Sequence, residues 1–262
     1  MADNHQFLVF PLHDTTGHLM NLLLTDRPFY KEHFAGAFVS ITPATAQALK
    51  DQLDFLIKDP FFSINFNKPD SRIGDHHLTA YRNAINLSPS DALLHLCTLD
   101  RLSYIVNNHA GDFVRSLSQI KTVPLQFIRS PAAWATHPAC YREAENLPTE
   151  LGKLIFNKIV DFCWCHLVVP RDRLKSVLPD KTPPGLGIYA QIVLPLVNEL
   201  AVVPVDWLAW EDPYIFDKNP DELKKSKDRD PAELAKRLDY VIPILNLVSS
   251  AYKSPDNAKI SP

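Results

Sequence analysis

The 262-residue sequence predicts an α/β protein, with a mostly parallel sheet and flanking helices, followed by a mixed, largely helical C-terminal extension. Two observations carry that prediction. Short apolar runs rich in β-formers alternate with helical patterns up to about residue 120, and such alternation implies right-handed crossovers between parallel strands. Beyond that point helical periodicity dominates, and a charged stretch over 218–230 precedes a closing helix. The expected organisation is one α/β domain over 1–217, with the linker and C-terminal helix of 218–262 packed on it.

The elements follow in order. Gln6 to Leu12 (QFLVFPL) reads as a buried strand, and Asp14, Thr15 and Thr16 each suit the N-cap of a helix over 18–24. Ala35 to Thr42 is a second strand. Thr42-Pro43 then opens a helix to about Lys58, with threonine as cap and proline in the first turn. Phe61 to Phe66 is a third strand, 76–87 a helix, Asp91 to Leu99 a fourth strand, and 102–120 a long helix. In the second half, 125–128 reads as a short strand and 129–137 as a loop. Residues 140–159 read as helix, 162–169 as strand and 171–178 as helix. Residues 187–200 read as helix and 201–208 as strand, followed by a helix over 232–252 bent at Pro243 and a disordered tail over 253–262.

Composition narrows the function classes. Hydrophobic residues make up 46% and charged residues 22%, as in a protein that buries a core. A net charge of -3 leaves no basic excess for nucleic acid or anionic lipid. No stretch approaches the roughly 20 apolar residues of a membrane span, and the N-terminus lacks a signal-peptide pattern. The expectation is a soluble, cytoplasmic protein of open oligomeric state. With 7 glycines there is neither G-x-G-x-x-G nor G-x-x-x-x-G-K, and G-x-S-x-G is absent too. Cysteines at 97, 140, 163 and 165 form no disulfide framework, and Cys163-Trp-Cys165-His166 lacks the spacing of a zinc site. On a strand, Cys163 and Cys165 would share one face as core thiols.

In parallel sheets ligands collect at the carboxyl ends of the strands, where Asp14 and Asp100 fall. The stretch His77 to Arg101 (HLTAYRNAINLSPSDALLHLCTLDR) sets a helix bearing Arg82-Asn83 before a strand closing on Asp100. Here the sequence resembles the GT-A nucleotide-diphospho-sugar transferases, in which an ARN-x-G helix precedes a strand ending in an acidic D-x-D. The resemblance implies that Arg82 and Asn83 lie near the donor and that Asp100 holds Mg²⁺ or Mn²⁺ on its diphosphate. It also places Asp14 and Thr15 against the nucleotide. Thr98 stands where the first acid would be, so a metal would rest on one carboxylate and the substrate phosphates. In a metal-independent arrangement Arg101 and Arg82 would supply the charge instead.

Two later segments offer an acceptor side. Arg129 to His137 (RSPAAWATH), with Glu143 and Glu145 beyond it, could wall a site. His137, Glu143 or Glu145 would serve as the base that takes a proton from an acceptor hydroxyl, with Arg129 on the substrate. The alternative is acids placed to suit a helix dipole. Trp207, Trp210 and Glu211 could form a sugar-stacking platform or simply pack. The functional expectation is a glycosyltransferase-like protein moving a sugar from a nucleotide-diphospho-sugar to an acceptor. The alternative is a non-catalytic member of the same fold that binds a nucleotide, a sugar or a protein.

Overall fold

The computed structural model describes residues 5–163 and 166–252. In chain order its elements begin β1 (Gln6–Leu12), α1 (His18–His33), β2 (Gly36–Ile41), α2 (Pro43–Ala48), α3 (Lys50–Lys58), β3 (Phe62–Phe66), α4 (Ile73–Leu87), β4 (Leu93–Leu96) and α5 (Leu99–Ser118). They continue with β5 (Leu125–Arg129), α6 (Pro131–Thr136), α7 (Ala139–Phe156), β6 (Leu167–Pro170), α8 (Arg171–Val177), α9 (Gly187–Val193), β7 (Ala201–Val205), α10 (Asp212–Ile215), α11 (Pro220–Arg229) and α12 (Pro231–Tyr252). The chain forms two compact units, Met1–Leu125 with His166–Ser176, and Gln126–Cys165 with Val177–Pro262.

The first unit is the α/β body that the alternating pattern predicts. Its strands run in the order β3-β2-β1-β4-β6. The first four are parallel, and β6 joins β4 antiparallel. All six residues of β2 are buried, as are Leu8, Val9, Phe10 and Leu12 of β1, which is the continuous apolar pattern of strands covered on both faces. The chain winds outward from β1 through β2 to β3, then returns to β4 on the other side of β1. The winding sense therefore reverses between β1 and β4, the place where such sheets open a ligand crevice.

Helix α1 runs through Pro28 to His33, well past the expected end at residue 24. Tertiary polar contacts hold the extra turns: Asn107 of α5 donates to Asp26 at 2.9 Å, and Tyr30 Oη lies 3.4 Å from Ser103 Oγ. The helix expected over 43–58 is broken at Leu49, whose non-helical backbone separates α2 from α3.

In the second unit β5 lies beside β7, and the Ser130 N–H just beyond β5 donates to Val205 O at 3.1 Å. Helix α12 packs on α7 and α9. Gly152 of α7 has a packing reason: a Cβ there would sit 2.4 Å from the buried Phe162 ring. Three expectations are corrected. The loop over 129–137 contains α6, capped by Ser130 Oγ accepting from Ala133 N at 3.1 Å. The charged linker over 218–230 is mostly α11, whose Asn219 cap accepts from Asp221 N and Glu222 N. The strand expected over 162–169 shrinks to β6, with a turn at 162–163. Trp164, Cys165 and the tail over 253–262 lie outside the described residues.

Candidate functional site at the carboxyl edge of the first sheet

Asp14 follows β1 and is spent on local structure. Its Oδ1 accepts from the backbone N–H groups of Thr16 (3.0 Å) and Gly17 (2.9 Å) and from the Thr16 hydroxyl, while Oδ2 accepts from Met20 N at 2.8 Å. Burial pushes this carboxyl up, but the four hydrogen bonds outweigh it and hold it below the usual range. Gly17 takes the left-handed backbone (φ 84°) that lets the chain turn into α1. Asp14 is thus engaged in holding the turn into α1, whose N-cap is Gly17 rather than Asp14, Thr15 or Thr16. Thr15 beside it is exposed.

Arg82 and Asn83 are also placed differently from the expectation. Asn83 donates to Ser63 Oγ at 3.3 Å, near the start of β3, so this part of α4 lies toward the amino ends of the strands. Arg82 is exposed two turns from the α4 N-terminus. Neither reaches the edge that carries Asp14 and Asp100.

At the opposite edge, three consecutive residues at the end of β2 gather side chains from three segments. Ser40 Oγ donates to the carbonyl of His76 at 2.7 Å. Ile41 O accepts from Asn67 Nδ2 at 3.1 Å. Thr42 Oγ1 lies 3.0 Å from His13 Nδ1 and 2.9 Å from Thr45 Oγ1, and Thr45 Oγ1 in turn accepts from Asp14 N at 2.7 Å. His76 lies in the first turns of α4, whose N-terminus is closed by Asp75 accepting from Arg72 N at 2.9 Å.

After β4, Thr98 is the N-cap residue of α5 yet makes no side-chain cap bond. Asp100, half-buried in the first turn, accepts locally from Arg101 N at 2.8 Å. The adjoining His77 is buried and held neutral. Burial drives its imidazole down to about 3, His76 adds to that, and Asp100 acts in the opposite sense. Arg101 is half-buried and acts electrostatically on the buried His166.

Three buried polar atoms on this edge have no hydrogen-bond partner: Asn67 Oδ1, His76 Nδ1 and Thr98 Oγ1. Buried polar atoms without partners are uncommon, and three of them along one strand-end edge call for a ligand or ordered water. The sequence reading missed His13, Asn67 and His76. The available signals were the positions of His13 and Asn67 directly after β1 and β3, and of the His76-His77 pair at the start of the helix after β3.

A metal is poorly served here. Among the described residues no three His, Cys, Asp or Glu side chains are grouped to hold an ion. Asp100 is the one carboxylate in the first turn of α5, so an ion there would rest on it and on the phosphates of a ligand.

In the second unit the expected acceptor residues are occupied. Arg129, fully buried, makes a two-point contact with Asp161 (Nε–Oδ2 2.8 Å, Nη2–Oδ1 3.0 Å) and a third contact with Glu145 at 2.6 Å. Glu145 also accepts from Arg237 at 3.1 Å. Each guanidinium stacks on an aromatic ring, Arg129 over Trp134 at 3.4 Å and Arg237 over Tyr141 at 3.5 Å. Glu145 is thereby ion-paired on both oxygens, which is poor preparation for a general base, and Arg129 is internal rather than substrate-facing. His137 is buried with Nδ1 3.0 Å from Ala133 O, while Glu143 lies on the exposed face of α7. Trp207 packs on Phe127 and Trp210 on Tyr141, and both indoles and Glu211 are buried. The stacking platform is therefore an internal cluster.

No family model and no curated protein matches this sequence. A solved structure described as a mycobacterial protein superposes with a TM-score of 0.55 at 14% identity, over 95% of this chain and 76% of that one. At that identity the likeness shows the fold.

Proposed function

We propose that this chain is a glycosyltransferase-like protein that binds a nucleotide-diphospho-sugar at the carboxyl edge of β1–β4. The observation that carries the reading is the set of partnerless buried atoms, Asn67 Oδ1, His76 Nδ1 and Thr98 Oγ1, along that edge. A nucleoside diphosphate supplies what they lack, with hydroxyl and N–H donors for the amide carbonyl and phosphoryl oxygens for the imidazole and the hydroxyl. The N-cap residue Thr98 makes no side-chain bond to the first turn of α5, and although Asp100 takes the Arg101 N–H there, the helix dipole still favours an anion at this end. The resemblance that remains at this edge, around Thr98-Leu99-Asp100, is the reason to read the ligand as a sugar donor, whereas Arg82 and Asn83 lie away from it. Asp100 then contacts the donor, or a divalent ion carried in by the diphosphate, and Thr98 orients a phosphoryl oxygen.

A second reading, a non-catalytic binder of the same ligand class, is favoured by one observation. Glu145 and His137 are engaged in internal ion pairs and hydrogen bonds, and Glu143 is solvated.

The test is a thermal-shift screen against UDP-, GDP-, ADP- and CDP-sugars, each with and without Mg²⁺ or Mn²⁺. A ligand at 100 times its Kd stabilises by about 2.7 kcal/mol. One nucleotide series should raise Tm, and Thr98→Val should lose that rise while keeping or raising the Tm of the free protein, because the substitution removes a buried hydroxyl with no partner. Hydrolysis or transfer of the selected donor separates the enzyme from the binder. No rise with any donor would remove the reading.

A further inference from the structure

We propose that His13 and His76 form a two-imidazole anion clamp that takes a phosphoryl group of the ligand and makes its binding proton-linked. The inference rests on the nucleotide-diphosphate reading of the same edge and adds which residues sense the charge.

The geometry begins at β2. Ser40 and Thr42 are two residues apart on a strand, so their side chains leave the same face. One hydroxyl fixes the His76 backbone and the other meets the His13 ring. Residues 13 and 76 therefore meet the same end of β2 from different segments, His13 by its ring and His76 by its backbone carbonyl, and the two imidazoles act on each other electrostatically. His13 is exposed to solvent, and its Nδ1 is engaged with Thr42. His76 is half-buried, and its Nδ1 is fully covered without a partner.

The charged groups acting on His76 are His13 and, from its own helix, Asp75. Asp100 of α5 acts one residue along, on His77. Burial, then His13, keeps the His76 imidazole below its usual range, with Asp75 opposing. An arriving dianion reverses that balance. It attracts both rings and so favours uptake of a proton on binding.

Asn67 Oδ1, an acceptor, disfavours an anion at its own position and suits a hydroxyl or N–H. A ligand with a phosphoryl group at one end and donors at the other satisfies the whole edge.

The experiment is titration calorimetry with inorganic pyrophosphate, and with the nucleoside diphosphate selected by the screen, from pH 7.5 to 6.0 in two buffers of different ionisation enthalpy. Wild type, His76→Gln and His13→Gln are compared, so the ligand's own titration cancels. Wild type is expected to bind about tenfold more tightly at the lower pH than at the higher, relative to the variants, with net proton uptake. The variants should bind more weakly and release that dependence. Because His13 is exposed, its variant keeps the fold if His76→Gln does not. Nucleoside diphosphate binding with the same pH slope in all three proteins overturns the clamp and leaves the nucleotide reading standing. Absence of binding by every nucleoside diphosphate overturns both.

Discussion

Asp14 illustrates how one residue type supports two readings until its partners are known. An aspartate after a strand and before a helix is equally a ligand contact and a cap. Both of its oxygens are taken up by Thr16, Gly17 and Met20. Asp14→Ala is therefore expected to lower unfolding stability by about 1–2 kcal/mol, as for lost caps, and Asp14→Asn by less. Urea denaturation measures both, and an unchanged midpoint in the alanine variant would contradict its hold on this turn. The linkage has a fixed sign. Its folded carboxyl titrates below the usual aspartate range, so its stabilisation is present above the unfolded value and is lost as pH falls through the folded one. Thr98 is the opposite case. Nothing in its sequence position separates a helix cap that is used from one that is not, and only the structure reveals its hydroxyl as buried and partnerless.

At the level of elements, the guanidinium of Arg129 joins β5 to α7 through Glu145 and to the segment before β6 through Asp161, and Arg237 of α12 completes the set. Two arginines face two carboxylates, so removing one partner leaves buried charge uncompensated. Arg129→Met should destabilise by about 3–5 kcal/mol, and chemical denaturation should show it as a lower midpoint. A loss under about 1 kcal/mol would mean that the carboxylates rehydrate. None of this was legible as an element-joining network, because its members are scattered from 129 to 237 and residue spacing reports only local partners.

The strands β1, β2 and β4 were legible because an apolar run buried on both faces is a strong local signal, and β3, exposed at Asn65 and Phe66, through its β-forming residues. Helix α11 was not, since a helix with no buried residue has no apolar stripe to display. Its caps, Asn219-Pro220 at the start and Lys227 and Arg229 at the end, were the signal available. Helix α1 runs past the expected end at residue 24, through Pro28, because Asp26 and Tyr30 contact α5 and hold the later turns.

For the molecule as a whole, the distribution of buried histidines sets an acid limit on stability. His77, His95 and His166 are all buried in the first unit, and His95 Nε2 lies 3.2 Å from His166 Nδ1 across the β4–β6 pair. Burial holds His77 and His95 down at about 3 and drives His166 well down too, aided by His95 and Arg101. The unfolded chain binds protons at these sites near pH 6.5 and the folded protein does not, so stability is full above that pH and falls as pH drops toward 3. Each unit of pH below the unfolded value removes about 1.4 kcal/mol per histidine, so His77 and His95 together cost roughly 4 kcal/mol by pH 5. Asp26 works in the other sense, because burial raises its carboxyl, but it is one group against three histidines. Unfolding free energy from urea titrations should therefore decline steeply from pH 7.5 to 5.0 in the ligand-free protein. Replacing both His95 and His166 by glutamine should flatten that decline by about the share of two protons. A profile level over this range would show that water or local opening reaches these imidazoles and that the β4–β6 pair is looser than its burial implies.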